Sequence, residues 1–190
     1  MSVLVVDNRD SFVFNLVDDL ARQGLSSTVV RAGISLRDLE IYIERSDPRF
    51  VLLSPGPGHP SDAGVMMEFL ASHSSIPVLG ICLGMQSMVT AEGGVVDRMV
   101  GPVHGRSTRI THTDPSVFEG LPTTFDAGCY HSLCATELPD SLEVIATDET
   151  GIPMALVHRD LPWVGLQFHP ESVLTPAGPQ ILRNIIRRFP

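Results

Sequence analysis

Pro77-Val78-Leu79-Gly80-Ile81-Cys82-Leu83-Gly84-Met85-Gln86 reads as a short apolar strand that turns at Cys82 into a helix running from about Gly84 to Glu92. A run of four or five apolar residues bounded by proline and glycine fits a strand buried on both faces. The same rhythm recurs upstream. Val3–Val6 predicts a strand ending at Asp7-Asn8, and residues 11–22 predict a helix with Phe12, Leu16, Val17 and Leu20 at helical spacing. A second strand is expected over Ser27–Arg31 and a helix over Ile34–Arg45. A third strand, Phe50–Leu53, runs into Ser54-Pro55-Gly56-Pro57-Gly58, and residues 64–72 predict a further helix. Strand and helix alternating at this tempo predict βαβ units and a parallel sheet covered on both faces, with sites beyond the strands' carboxyl ends. From Gly94 to about Gly165 shorter strands, such as Leu142–Ala146 and Met154–Val157, predict an antiparallel extension, before a last helix over about Gly178–Phe189. The expected whole is an α/β three-layer sandwich with a mostly parallel, flavodoxin-like central sheet and a small antiparallel extension. With no repeat and no linker, residues 1–190 read as one domain.

Composition narrows the chemistry. Apolar residues are 43% and charged residues 18% of 190, ordinary values for a globular chain. A net charge of −9 and the lack of a basic stripe argue against a nucleic-acid partner. The apolar run at Val3–Val6 is too short for a signal peptide, and no stretch approaches the roughly 18 residues of a membrane helix, so no membrane partner is expected. Three cysteines, Cys82, Cys129 and Cys134, contain no C-x-x-C pair, which argues against a disulfide scaffold or thiolate metal site and for a reducing cytoplasm. All 13 basic residues are arginine. Without lysine there is no Walker-A phosphate lysine and no Schiff base.

Gly80-Ile81-Cys82-Leu83-Gly84 has the spacing of a nucleophile elbow. A tight strand-to-helix turn crowds the backbone, so it needs small residues two positions to either side. It also leaves the sulfur at a helix N-terminus, where free N–H groups such as that of Leu83 can hold an oxyanion. A buried core cysteine beside ordinary turn glycines has the same spacing. A thiol nucleophile needs a base and the base an orienting group. Of seven histidines, only His169 has a strand lead-in and a nearby carboxylate, in Gln167-Phe168-His169-Pro170-Glu171. In an extended chain residues 169 and 171 point the same way, so they would share one face; a surface His–Glu pair remains the alternative. Ser54–Gly58 offers a rigid loop of exposed backbone N–H groups. His104 and His131 lie in two further loops, Gly101–Arg106 and Tyr130–Leu133, where spacing reveals no mechanism.

Five ordered motifs together resemble the class I (triad) glutamine amidotransferases. They are Asp7-Asn8-Arg9-Asp10-Ser11-Phe12, Leu53–Gly58, Gly80–Gln86, Tyr130-His131-Ser132-Leu133 and Gln167–Ser172. Within the family the chain is similar to component II of anthranilate synthase and to the glutaminase of aminodeoxychorismate synthase. The resemblance implies Cys82 as nucleophile, His169 as general base and acid, and Glu171 as its orienting group. It further implies an oxyanion hole of the Gly58 and Leu83 N–H groups, and Gly56, Gln86, Ser132 and Leu133 as contacts to the α-amino and carboxylate groups of L-glutamine. Gly101–Arg106 would lie near a subunit interface. Met85, Cys129, Arg106 and Arg9 depart from the chorismate-linked pattern, where histidine, arginine, lysine and an aromatic residue are usual; none belongs to the triad. No cofactor or metal is expected in this chain, although a chorismate-binding synthase partner would use Mg2+. Ammonia is mostly ammonium at neutral pH and useless as a nucleophile, so direct delivery to such a partner is expected. A non-catalytic regulatory subunit and a thiol peptidase or γ-glutamyl hydrolase are the rival readings.

Overall fold

The computed structural model describes residues 1–72, 75–99, 101 and 105–189. Strand β1 (Ser2–Asp7) lies between β2 (Ser26–Arg31) and β3 (Phe50–Leu53), and β4 (Val78–Ile81) and β11 (Trp163–Leu166) complete five parallel strands. On the far side of β11 the same sheet continues antiparallel through β10 (Pro153–His158), β9 (Leu142–Asp148), β6 (Arg106–His112) and β7 (Thr124–Cys129). A separate two-stranded ribbon pairs β5 (Val95–Arg98) with β8 (Leu133–Glu137). The expected antiparallel extension is thus divided between four strands of the main sheet and this ribbon.

The continuous apolar runs are explained by cover on both faces. In β1 and β3, Val3, Val5, Phe50 and Leu52 face one core, and Leu4, Val6, Val51 and Leu53 face the other. Helices α1 (Val13–Arg22) and α5 (Gly178–Arg188) close the first layer through Val13, Leu16, Leu20, Ile181 and Leu182. Helices α2 (Leu36–Ser46), α3 (Val65–Ala71) and α4 (Leu83–Ala91) close the second through Leu39, Met66, Phe69, Met85 and Met88. α2 starts where the Ser35 hydroxyl accepts the Asp38 N–H at 3.2 Å, the side-chain bond expected of an N-cap. α4 differs from the others: every residue from Leu83 to Val89 is buried. It is a central helix rather than a surface one.

The chain leaves β1 towards β2 on one side and returns to β3 on the other, so the strand order reverses between β1 and β3. At such a switch point the loops beyond the carboxyl ends diverge and leave a crevice. The loops after β1, β3, β4 and β11 all emerge at this edge. Among the described residues no helix is long and apolar enough to cross a membrane.

The helix α1 provides a test of the core assignment. Leu16 is fully buried and Phe14, two positions earlier, is 69% exposed. Leu16→Ala should cost about 2–5 kcal/mol and Phe14→Ser within about 0.5 kcal/mol, measured as denaturant midpoints at unchanged slope.

Candidate active site

β4 ends at Ile81, and Cys82 takes φ 52°, ψ −102° before α4 begins at Leu83. A left-handed φ costs a non-glycine residue of order 1–3 kcal/mol and persists only where the surroundings hold it. Here they do. The Cys82 N–H donates to the Leu166 carbonyl of β11 at 2.7 Å. A Cβ on Gly80 would sit 2.6 Å from the Gly84 carbonyl carbon, and one on Gly84 would run into the Leu53 carbonyl oxygen. The two glycines therefore let the first turn of α4 lie on β3 and β4, the backbone crowding expected of such a turn. The N–H of Leu83, in the first turn of α4, has no partner within the helix, as at any helix start.

β4 and β11 are hydrogen-bonded neighbours, Ile81 opposite Leu166, so the residues that follow them emerge side by side. This adjacency brings His169 to Cys82 from 87 positions away in the chain. The His169 side chain is 6% exposed and its Nδ1 donates to Glu171 Oε1 at 2.6 Å. The pair is made differently from the sequence expectation. Residues 169–172 form a turn, not an extended segment, closed by the Ser172 N–H on the His169 carbonyl at 3.2 Å. Pro170 occupies the position where its fixed φ favours such a turn. The Thr175 hydroxyl also donates to that carbonyl at 2.6 Å, and the Tyr130 ring and the imidazole pack T-shaped at 5.0 Å between centroids.

With Nδ1 committed to Glu171, Nε2 has no hydrogen-bond partner among the described residues. Burial disfavours the imidazolium, but the Cys82 thiol and the Glu171 carboxylate outweigh it and raise the His169 pKa to about 10. That direction favours the imidazolium. Cys129 behaves oppositely: burial pushes its thiol up to about 11, and burial raises Cys134 as well, so neither is an activated nucleophile.

Cys82 forms part of the walls of two cavities. One, of about 140 Å³, also contains Gly56, Gly58, Gln86, Ser132 and Leu133. Every predicted oxyanion and substrate residue except Leu83 thus meets the sulfur in one pocket, and Leu83 adjoins it in the chain. The other, of about 270 Å³, includes His169, Asp10, Phe12 and Tyr130. The loop after β3 is locked to that after β1: Asn8 N–H donates to the Ser54 hydroxyl at 2.9 Å, and a Cβ on Gly56 would strike the Asn8 carbonyl.

Gln86 needs one correction. Its Nε2 is consumed by the Leu133 carbonyl at 3.0 Å and Gln167 Oε1 at 3.1 Å, so only its Oε1 is left to meet a ligand. His131 is a structural histidine, its Nδ1 bonded to the Leu133 carbonyl at 2.9 Å. Of the Gly101–Arg106 loop, Pro102, Val103 and His104 lie outside the described residues; Arg106 opens β6 opposite Cys129. Asp10, Tyr130 and Gln167 stood in the motifs without an assigned role. Asp10 lies beside the triad with its pKa raised, first by burial and further by Glu171. Among the described residues no group of His, Cys, Asp and Glu could hold a metal ion.

The doubly wound sheet thus brings a thiol, an imidazole and a carboxylate to adjoining strand ends. The family model for class I glutamine amidotransferases matches residues 4–189, and the chain belongs to that family. It is 44% identical over 191 residues to anthranilate synthase component 2 of Mycobacterium tuberculosis, covering 97% of this chain and 81% of that one. It is 43% identical over 194 residues to anthranilate synthase component II of Haloarcula marismortui, covering 98% and 91%. The crystal structure of a glutamine amidotransferase from Thermotoga maritima shares the fold, with TM-score 0.78 at 16% identity, covering 100% of this chain and 97% of that one.

The raised His169 pKa has a defined signature. Stability held by the imidazolium is fully present below the unfolded value of 6.5 and is lost as pH rises towards about 10. The stability difference between the native chain and Glu171→Gln should therefore be largest near pH 6.5 and shrink as pH rises through 10, read from thermal midpoints. A difference that does not change with pH would contradict the charge pairing.

Proposed function

We propose that the chain is the glutaminase subunit of an anthranilate synthase, serving tryptophan biosynthesis in a cytoplasmic setting. It hydrolyses L-glutamine to glutamate and delivers the ammonia to a chorismate-binding partner. The observation that carries this reading is the convergence of Cys82, His169 and Glu171 at adjoining strand ends, with the Gly58–Gln86–Leu133 cavity opening on the sulfur. The component II relatives support the branch.

In the proposed reaction the imidazolium of His169 favours the thiolate of Cys82 by charge pairing. The sulfur attacks the side-chain amide carbon of glutamine, and the Gly58 and Leu83 N–H groups receive the oxyanion. Preorganised donors of this kind are worth about 10²–10³ in rate each. His169 Nε2 gives its proton to the departing nitrogen, the C–N bond breaks, and ammonia leaves a γ-glutamyl thioester. Water then attacks the thioester and returns a proton to His169, and the C–S bond breaks to release glutamate. Glu171 keeps the ring oriented through both steps. Gly56, Ser132, Leu133 and Gln86 Oε1 hold the α-amino and carboxylate groups. The steps use only protein groups; Mg2+, if the synthase needs it, belongs to the partner.

The substrate groups occupy the cavity on the Gln86 side, which leaves the His169 and Asp10 side for the leaving ammonia. Cys82→Ala, assayed with the copurifying synthase, should lose glutamine-dependent product at least about 10³-fold while ammonia-dependent synthesis persists. Retained glutamine-dependent turnover would overturn the catalytic assignment. Aminodeoxychorismate rather than anthranilate as the product would overturn the branch alone.

A further inference from the structure

Gln167 follows β11 directly and is completely buried. A buried amide must satisfy both of its ends. Gln167 Oε1 accepts from Gln86 Nε2 at 3.1 Å, and its own Nε2 donates to Cys82 Sγ at 3.7 Å. Its backbone is also tied, the N–H donating to the Met154 carbonyl at 2.9 Å.

The direction of this chain follows from its far end. Gln86 meets the Leu133 peptide carbonyl, which can only accept, at 3.0 Å. That end of Gln86 must be its NH2 group. The Gln167 atom receiving the second N–H must then be the oxygen, and the atom facing the sulfur must be the NH2 group. Turning either amide over would set two acceptors or two donors against each other in a dry interior, at a full desolvation penalty. The peptide group of Leu133, in the wall of the substrate cavity, thereby sets what the nucleophile meets on its buried side.

We propose that Gln167 is a positioning residue for the nucleophile: it presents an N–H to the Cys82 sulfur, in a direction set by Gln86 and the Leu133 carbonyl. This rests on the glutaminase reading for its catalytic consequence, but not for its effect on the thiol. A thiolate is a far better acceptor than a thiol, so a fixed donor favours the anion and holds the sulfur on one heading. His169 pairs with the sulfur as a movable proton carrier, whereas the amide of Gln167 has no proton to lose. The donor persists through the step in which the imidazolium surrenders its charge.

Two variants of the full-length chain test the proposal. Gln167→Met keeps the length and removes both polar ends. Gln167→Glu keeps an acceptor for Gln86 and sets a carboxylate oxygen against the sulfur. Alkylation of Cys82 by iodoacetamide, followed by peptide mass spectrometry across a pH series, needs no glutamine and no partner. Both variants should require higher pH to reach half-maximal rate, the glutamate variant more so. With the synthase partner, kcat for glutamine should fall about 10–100-fold, the range for one hydrogen bond to a charged group, while KM changes little. Gln86→Met should move the alkylation profile in the same direction and raise KM as well, because Gln86 also borders the substrate cavity. A profile that coincides with the native one in the folded Gln167 variants would overturn the proposal, as would a change in KM alone. If native protein and its partner release no glutamate from glutamine, the glutaminase reading fails while the alkylation result still stands.

Discussion

The pairing of β4 with β11 is the constraint on which the site depends. These strands are distant in the chain, and their register sets Ile81 against Leu166. The ladder ends in the hydrogen bond from the Cys82 N–H to the Leu166 carbonyl, so the last rung of the sheet is also the first contact of the active site. The thiol and the imidazole are consequently positioned by a central sheet with core on both faces, not by loops that meet at the surface. A slip of one residue in this pair would turn every following side chain to the opposite face, and the triad would disperse. The burial of Val78, Leu79, Trp163 and Val164 on both sides is what forbids that slip.

Within that frame the site is a contest between desolvation and charge. His169 is almost wholly buried, and burial alone would keep its ring neutral. A carboxylate at 2.6 Å on one nitrogen and a thiol facing the other reverse the outcome. The same burial outweighs a Thr108 hydrogen bond at Cys129, acts with nearby acidic groups at Cys134, and raises both thiols. Of the three cysteines, Cys82 is the one set beside the His169 imidazole. The strained φ of Cys82 belongs to the same economy. A sulfur held at a tight turn cannot relax back into the core, because glycines on both sides have already let the helix close upon it.

The parallel half of the fold was legible in the sequence because its cause is local. Strands covered on both faces show as unbroken runs such as Val3–Val6 and Phe50–Leu53, and helices over them as periodic stripes. The antiparallel half was read only in outline. β6 buries little besides Ile110, and its other residues are polar and at least partly exposed, so no alternation announces it; it is held by ladders to β7 and β9. The membership of those strands in one sheet is a long-range fact that no window of residues contains.

The site was legible in a similarly uneven way. The elbow glycines announced Cys82, because steric crowding dictates residue type at fixed offsets. The His169–Glu171 pair was found by proximity in the chain, but through the wrong geometry, since Pro170 serves a turn as readily as an extended segment. Gln86 was placed at the substrate without its partners, because a side-chain amide carries no sign of which end is engaged. That information lies in the Leu133 carbonyl, 47 residues away, and in Gln167, 81 residues away. An amide inside a protein acquires a direction only from the groups that meet it. For this reason the hydrogen-bond chain ending on the Cys82 sulfur is a property of the folded site and of no stretch of sequence within it.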